Sequence, residues 1–397
     1  MVKSKFIFDL SNVLFYLTMS VVVAFPNPSI YKAIFIIVFF LYTTFQLLLN
    51  NKGIGSRLQI GWALAFYIFC KLSSIWSETP WAIYEVINNV RWAFMLSISV
   101  VNYVRINQLS VIDVAKRMLV IGFVFILNVV LNGTFIEGRY TVIIGNYVLN
   151  ENVFGQISMG ISCYLLYWSK KNNWKTIFIN IVAIIMVVLA LISGSRKSII
   201  SLIIFIIGFT MYEYPPNDIL RSIYKIFSVV AVIGLVYVLI MNVNILYNTV
   251  GLRIESFLSI FKGEEADGST ITRMKMLEYA KKMFVEKPIF GYGLNTYSHI
   301  SGFNAYAHNN YMELLANTGL IGFSIYYLPV FIYLITTFSL WKKRTPDSIL
   351  PLSILIVYII NDFFSVSYFS LVSHVFIGLS IGMMYNLLSF KNRDNKI

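Results

Sequence analysis

The chain has 397 residues and a formal net charge of +13, yet only 12% of its residues are charged while 58% are apolar. A soluble globular domain carries about a quarter charged residues, so this composition excludes one and indicates an integral membrane protein. The two cysteines, Cys70 and Cys163, lie in separate apolar stretches with no Cys-x-x-Cys pairing, so neither a disulfide nor a metal site is expected.

A spanning helix needs roughly 20 mostly apolar residues. Twelve such stretches occur, near 6–26, 30–49, 58–75, 90–104, 112–132, 153–168, 174–192, 198–213, 222–242, 312–340, 348–362 and 368–390. The first begins MVKSKFIFDL, a basic start like that of a signal peptide. No small-residue cleavage site follows and Asp9 interrupts it, so it reads as an uncleaved span. Lys and Arg are retained on the cytoplasmic side. With the N-terminus inside, cytoplasmic segments hold 18 of the 31 basic residues, short outer segments 6 and one long outer loop 7. Both termini are therefore expected in the cytoplasm. Topology accounts for the basic excess, and a nucleic-acid partner is not expected.

The expected organisation is nine spans over 1–242, a large outer loop over 243–311, and three spans over 312–397. A second outer loop runs from about Asn132 to Glu151. No internal repeat relates the two sets of six spans, which argues against the two-halved transporter plan. In the large loop, Ser269 or Thr270 can cap a helix with apolar Ile271, Met274, Leu277, Met283 and Phe284. Arg273, Lys275, Glu278, Lys281 and Lys282 form its polar side, and Pro288 stops it. Such a helix suits the outer membrane face, or it packs on the bundle as a lid. Gly291 and Gly293 then supply a turn, and the next helix begins near His308.

Of the three histidines, His374 sits in LVSHVFIG within the last span, where a helix-to-helix hydrogen bond is its ordinary use, and His299 reads as solvated loop. His308 differs because it stands at a helix N-terminus, where the dipole disfavours imidazolium. A neutral imidazole there suits a general base. Ser193-Gly194-Ser195-Arg196-Lys197-Ser198 links the seventh and eighth spans on the outer side. Two cations on a tight turn fit a phosphate, which Arg can grip bidentately, and they fit lipid-headgroup anchoring equally well. Arg273, at the start of the loop helix, can add to an anion clamp. Asp362, in IINDFF, either orients His308 or an arginine, or caps a helix. Glu313 and Arg91 are weaker candidates of the same kind.

The order His308-Asn309, nine residues, Gly319-Leu320-Ile321-Gly322 resembles the signature of the bacterial O-antigen ligase and polymerase superfamily. Pro288-Ile289-Phe290-Gly291-Tyr292-Gly293 and Ser193-Gly194-Ser195-Arg196 are similar to two further segments of that family. The resemblance implies an all-α polytopic fold of about twelve transmembrane helices with GT-C-like inverting glycosyltransferase architecture. It implies a bacterial cytoplasmic (inner) membrane location and an extracytoplasmic site. The implied substrate is an oligosaccharide on undecaprenyl diphosphate, transferred without cofactor or metal, with a chain-length regulator and a flippase as partners. His308 would act on the acceptor hydroxyl while Arg196 and Arg273 stabilise the leaving diphosphate. Lys197, Arg91 and Asp362 complete the expected binding set. An outer-face enzyme has no supply of nucleotide sugars, so its energy must arrive on a membrane carrier, which agrees with this. The motif does not separate a polymerase of O-antigen or capsule repeat units from a ligase moving finished polymer to lipid A core or another acceptor, although YAHNNYMELLANTGLIGFSIYY looks more like a polymerase. A solute transporter is the remaining alternative of another class.

Overall fold

The computed structural model describes residues 9–25, 29–49, 57–136, 138–173, 175–210, 219–252, 254–255, 268–343, 345 and 347–394. In chain order the main helices are α1 (Leu10–Met19), α2 (Ser29–Leu49), α3 (Arg57–Leu72), α4 (Ile83–Ile106), α5 (Val111–Asn132), α6 (Glu151–Lys171) and α7 (Ile177–Ile192). They continue with α8 (Arg196–Thr210), α9 (Ile219–Asn242), α10 (Gly268–Glu286), α11 (Thr296–Ile300), α12 (Asn310–Lys342), α13 (Ile349–Asn361) and α14 (Leu371–Asp394). A helix thus lies over each of the twelve apolar stretches. Among the described residues five helical segments, Ile30–Leu49, Arg57–Ile75, Val111–Asn132, Asn310–Lys342 and Leu371–Ser389, are long and apolar enough to cross a membrane by length and composition.

The chain divides into two compact units. Unit 1 comprises Met1–Phe35, Leu109–Glu265 and Arg344–Val357, and unit 2 comprises Ile36–Gln108, Ala266–Lys343 and Tyr358–Ile397. In unit 1 the Asp9 carboxylate accepts the Ser11 N–H at 3.2 Å and caps α1, so the residue that interrupts the first apolar run is the signal that starts its helix. Helix α5 opens on a capping box in which the Ser110 hydroxyl and the Asp113 carboxylate satisfy each other's backbone N–H. The 132–151 connection is not irregular: β1 (Gly133–Ile136), β2 (Arg139–Ile144) and β3 (Tyr147–Val148) form an antiparallel meander. This small sheet departs from an all-α expectation. The β-branched and aromatic run Tyr140-Thr141-Val142-Ile143-Ile144 and the Gly145-Asn146 turn were the strand signals in the sequence.

In unit 2, α4 and α14 pack closely because Gly378 and Gly382 present no side chain. A Cβ at Gly378 would lie 2.9 Å from the Ser97 carbonyl oxygen, and one at Gly382 2.8 Å from Val104 Cβ. An aromatic core of Trp62, Phe66, Phe94, Tyr326 and Tyr368 fills the space beside them. His374 is part of this core: its Nδ1 faces the Ser370 carbonyl of its own helix at 3.0 Å, and its ring packs on Trp62 and Phe94. The expected bond between helices is replaced by one within a helix, since an imidazole on an apolar face reaches the carbonyl one turn back. Helix α10 also corrects the sequence reading. It buries Met276, Ala280 and Met283 against Tyr292, Tyr297, Ala307 and Ala316, while Ile271, Met274 and Leu277 stay exposed. The helix is apolar on two sides and packs on protein through the second.

Candidate functional site

The Pro288–Gly322 segment is built around a break in α12. At Gly319 the backbone leaves the helix with φ 60° and ψ −168°, which strands the carbonyls before the break and the N–H groups after it. Segment 288–293 supplies both sets of partners. Leu320 N–H bonds the Pro288 carbonyl at 2.8 Å and Ile321 N–H the Ile289 carbonyl at 3.2 Å. In return Tyr292 N–H bonds the Ala316 carbonyl at 3.0 Å and Gly293 N–H the Asn317 carbonyl at 2.7 Å. Glycine is required at the crossing. A Cβ on Gly291 would sit 2.5 Å from Thr318 N, and one on Gly319 would overlap the Ile289 carbonyl. The motif's spacing is therefore the length of one half-helix, Asn310 to Thr318, between a histidine loop and a backbone clip.

His308 stands two residues before α12 with φ 53°, a left-handed conformation costly for an L-residue. Both flanks hold it there. On one side, Ala307 N–H donates to Glu313 Oε2 at 2.7 Å, and Asn317 Nδ2 holds Glu313 Oε1 at 2.8 Å. On the other, the Asn309 side-chain oxygen accepts Met312 N–H at 3.0 Å as helix cap, while its Nδ2 reaches the Phe363 carbonyl at 3.3 Å. The His308 ring is partly exposed and meets the Tyr306 ring with centroids 4.5 Å apart. Burial raises the Tyr306 hydroxyl's pKa, the charge of Arg273 pulls it down, and Glu313 adds to the rise. Tyr306 therefore touches the His308 ring and feels the charge of Arg273, both in unit 2.

Asp362 is fully buried. Its backbone carbonyl accepts Asn310 N–H at 2.7 Å, and its Oδ2 accepts from Tyr327 Oη at 2.7 Å and from Asn310 Nδ2 at 3.2 Å. It anchors the first residue of the half-helix behind His308. Arg91 lies on α4 with its guanidinium 4.1 Å from the Trp92 ring. In unit 1, Arg196 opens α8 with its side chain outside the described residues, and Lys197 beside it is buried. The turn before them is held by Arg139, whose Nε donates to the Ser193 carbonyl at 3.2 Å, whose Nη2 donates to Asn152 Oδ1 at 3.0 Å, and whose Nη1 pairs with Glu151 at 3.2 Å.

Two features were not legible in the sequence. His299 is not a solvated loop residue: its Nε2 lies 3.0 Å from Glu85 Oε2, and Trp81 packs edge-on against it at 4.4 Å. The 73–85 connection is a scaffold for the motif segment, not a bare link. Ser73 Oγ accepts Leu294 N–H at 3.0 Å, Ser77 and Thr296 hydroxyls meet at 2.9 Å, and Lys287 pairs with Glu78 at 2.6 Å. Tyr292, whose hydroxyl donates to Glu286 and is thereby pushed up to about 12, ties the end of α10 to the glycine turn.

A polytopic helical membrane protein that fixes a partly exposed histidine on a braced loop is the class this fold and site define. Residues 181–327, a little over a third of the chain, match the family model described as O-Antigen ligase, and this supports the O-antigen ligase/polymerase superfamily for the chain. The match includes the 193–198 turn, Arg273, His308 and the glycine clip, and it leaves out Arg91 and Asp362. No curated protein matches the chain.

Proposed function

We propose that the chain is an inverting glycosyltransferase that polymerises oligosaccharide repeat units carried on undecaprenyl diphosphate, at the outer face of a bacterial cytoplasmic membrane. The observation that carries this reading is His308, held in a costly conformation by Glu313 and Asn309 with its ring against Tyr306, a tyrosine that feels the charge of Arg273. In the proposed step His308 takes the proton of an acceptor sugar hydroxyl, and that oxygen attacks the anomeric carbon of the donor sugar. The bond from that carbon to the diphosphate oxygen breaks on the opposite face, so configuration inverts and the lipid diphosphate departs. A fixed cation offsets the charge developing on the leaving group, the role given to Arg273. Arg196 and Lys197, at the head of α8 in unit 1, are proposed as diphosphate ligands by the family resemblance, and no metal takes part. The bonds joining the 73–85 connection to 288–296 support the reading, because they require one sidedness for two segments that charge counting assigns to the outer face. A chain-length regulator and a flippase are the proposed partners.

The description of the matching family favours a second reading, in which the chain is a ligase that moves finished polymer to another acceptor. The purified protein, given its source organism's lipid-linked repeat unit as sole substrate, separates the two. A polymerase yields a ladder of lengthening products on a gel, whereas a ligase yields none until a separate acceptor is supplied. A ladder unchanged by His308→Ala would refute the role given to the histidine.

A further inference from the structure

Trp81 and Tyr84 of unit 2 are 57% and 65% exposed, with the His299 ring against Trp81 and Lys71 over the Tyr84 ring. Glu85, next to Tyr84 in the chain, uses one oxygen, Oε2, to accept from Asn295 Nδ2 at 3.0 Å and to meet His299 Nε2 at 3.0 Å. The Glu85 side chain remains 52% exposed and His299 23% exposed. Asn295 is fixed by a left-handed backbone with φ 63° and by a 3.0 Å bond from Nδ2 to the Ala82 carbonyl. With Nε2 directed at the Glu85 carboxylate, a ring that donates from Nε2 leaves Nδ1 as an acceptor.

We propose that Trp81, Tyr84, Glu85 and His299 form a sugar-binding subsite that holds a neutral pyranose of the substrate glycan. A pyranose has a C–H face that packs on an aromatic ring and a rim of hydroxyls that donate to carboxylate and imidazole acceptors. The charges favour a neutral ligand. Glu85 repels a phosphate, and Lys71, 5.4 Å from the Tyr84 ring centroid, repels a cation that the aromatic faces would otherwise attract. Interfacial anchoring explains exposed Trp and Tyr rings near a membrane, but it does not call for a carboxylate held by Asn295 and His299 next to them in the chain.

The subsite is in register with His308 through an unbroken path. Tyr297 N–H, two residues after Asn295, bonds Asn317 Oδ1 at 2.8 Å; Asn317 Nδ2 bonds Glu313 Oε1 at 2.8 Å; and Glu313 Oε2 takes Ala307 N–H at 2.7 Å. The proposal rests on the glycosyl-transfer reading and specifies where the glycan is gripped.

The test uses the full-length protein in lipid nanodiscs and, as probe, the source organism's repeat-unit oligosaccharide released from its carrier by mild acid. Binding is followed by saturation-transfer NMR and titration calorimetry, and transfer from the intact lipid-linked substrate is measured separately. The expected result is that Trp81→Ala and Glu85→Gln each weaken binding by about tenfold or more, that Trp81→Phe restores most of it, and that transfer suffers in KM more than in kcat. Should Trp81→Ala fail to fold, Glu85→Gln and Trp81→Phe decide. Binding unchanged in the variants, or no binding by the wild type, overturns the subsite, and continued transfer would leave the enzymatic reading standing. Binding lost in the variants, with no transfer by the wild type, supports the subsite and overturns the enzymatic reading.

Discussion

The motif segment 288–322 of unit 2 and the turn 193–198 of unit 1 both combine glycine with candidate catalytic or cationic residues, but they are held in opposite ways. The first is locked by backbone: four N–H to carbonyl bonds cross between 288–293 and the two halves of α12, and glycine makes the crossing possible. The second is locked by side chains, with Arg139 gripping the Ser193 carbonyl and the Ser193 hydroxyl bonding the Ala190 carbonyl at 2.7 Å. The hydroxyls of Ser195 and Ser198, by contrast, are buried with no hydrogen-bond partner among the described residues. A backbone lock fixes direction, which proton transfer requires. A side-chain lock leaves polar capacity beside a helix N-terminus, which suits charge stabilisation.

That contrast can be broken from either side. The largest structural effect belongs to Gly319→Ala. The substitution adds an overlap with the Ile289 carbonyl to the roughly 1–3 kcal/mol that an L-residue incurs in this essentially glycine-only backbone region. The protein is expected to lose most of its folded yield or to melt well below wild type by scanning fluorimetry; a normal melt would show that the clip is not required. Arg196→Lys keeps the charge and removes the bidentate fork, so most transfer activity should vanish with folding intact. Near-normal rates would refute a forked phosphate contact. Arg139→Ala should cost about 1–3 kcal/mol as a charged hydrogen-bond network is broken, a loss confined to stability and read as a lowered melting temperature. The smallest effect expected is that of EDTA. Transfer should proceed unchanged, and inhibition reversed by a divalent cation would contradict a leaving group stabilised by cationic side chains alone.

The helices were legible because long apolar runs with polar breaks leave few alternatives, and a helix lies over each of the twelve stretches. His308 was legible because histidine is rare in this chain and here precedes Asn309 and a helical run. The break at Gly319 was not. A glycine inside an apolar run reads as close packing, and the partners that make it a break lie some thirty residues earlier, at 288–293. The same non-locality hid the pairing of Glu85 with His299, two residues 214 positions apart. Of the buried face of α10 only Met283 was named from the sequence, because Met274 and Met276 are equally apolar and only the surface that covers Met276 decides between them.

The central claim is that the braced loop exists to hold His308 against an acceptor hydroxyl. The most direct measurement compares single-turnover transfer from the lipid-linked repeat unit by purified wild type and His308→Ala, with melting temperatures recorded for both. Removing a general base costs about 10²- to 10⁴-fold, so the variant is predicted to fold normally and to transfer at that reduced rate. A His308→Ala protein that transfers at the wild-type rate would contradict the account.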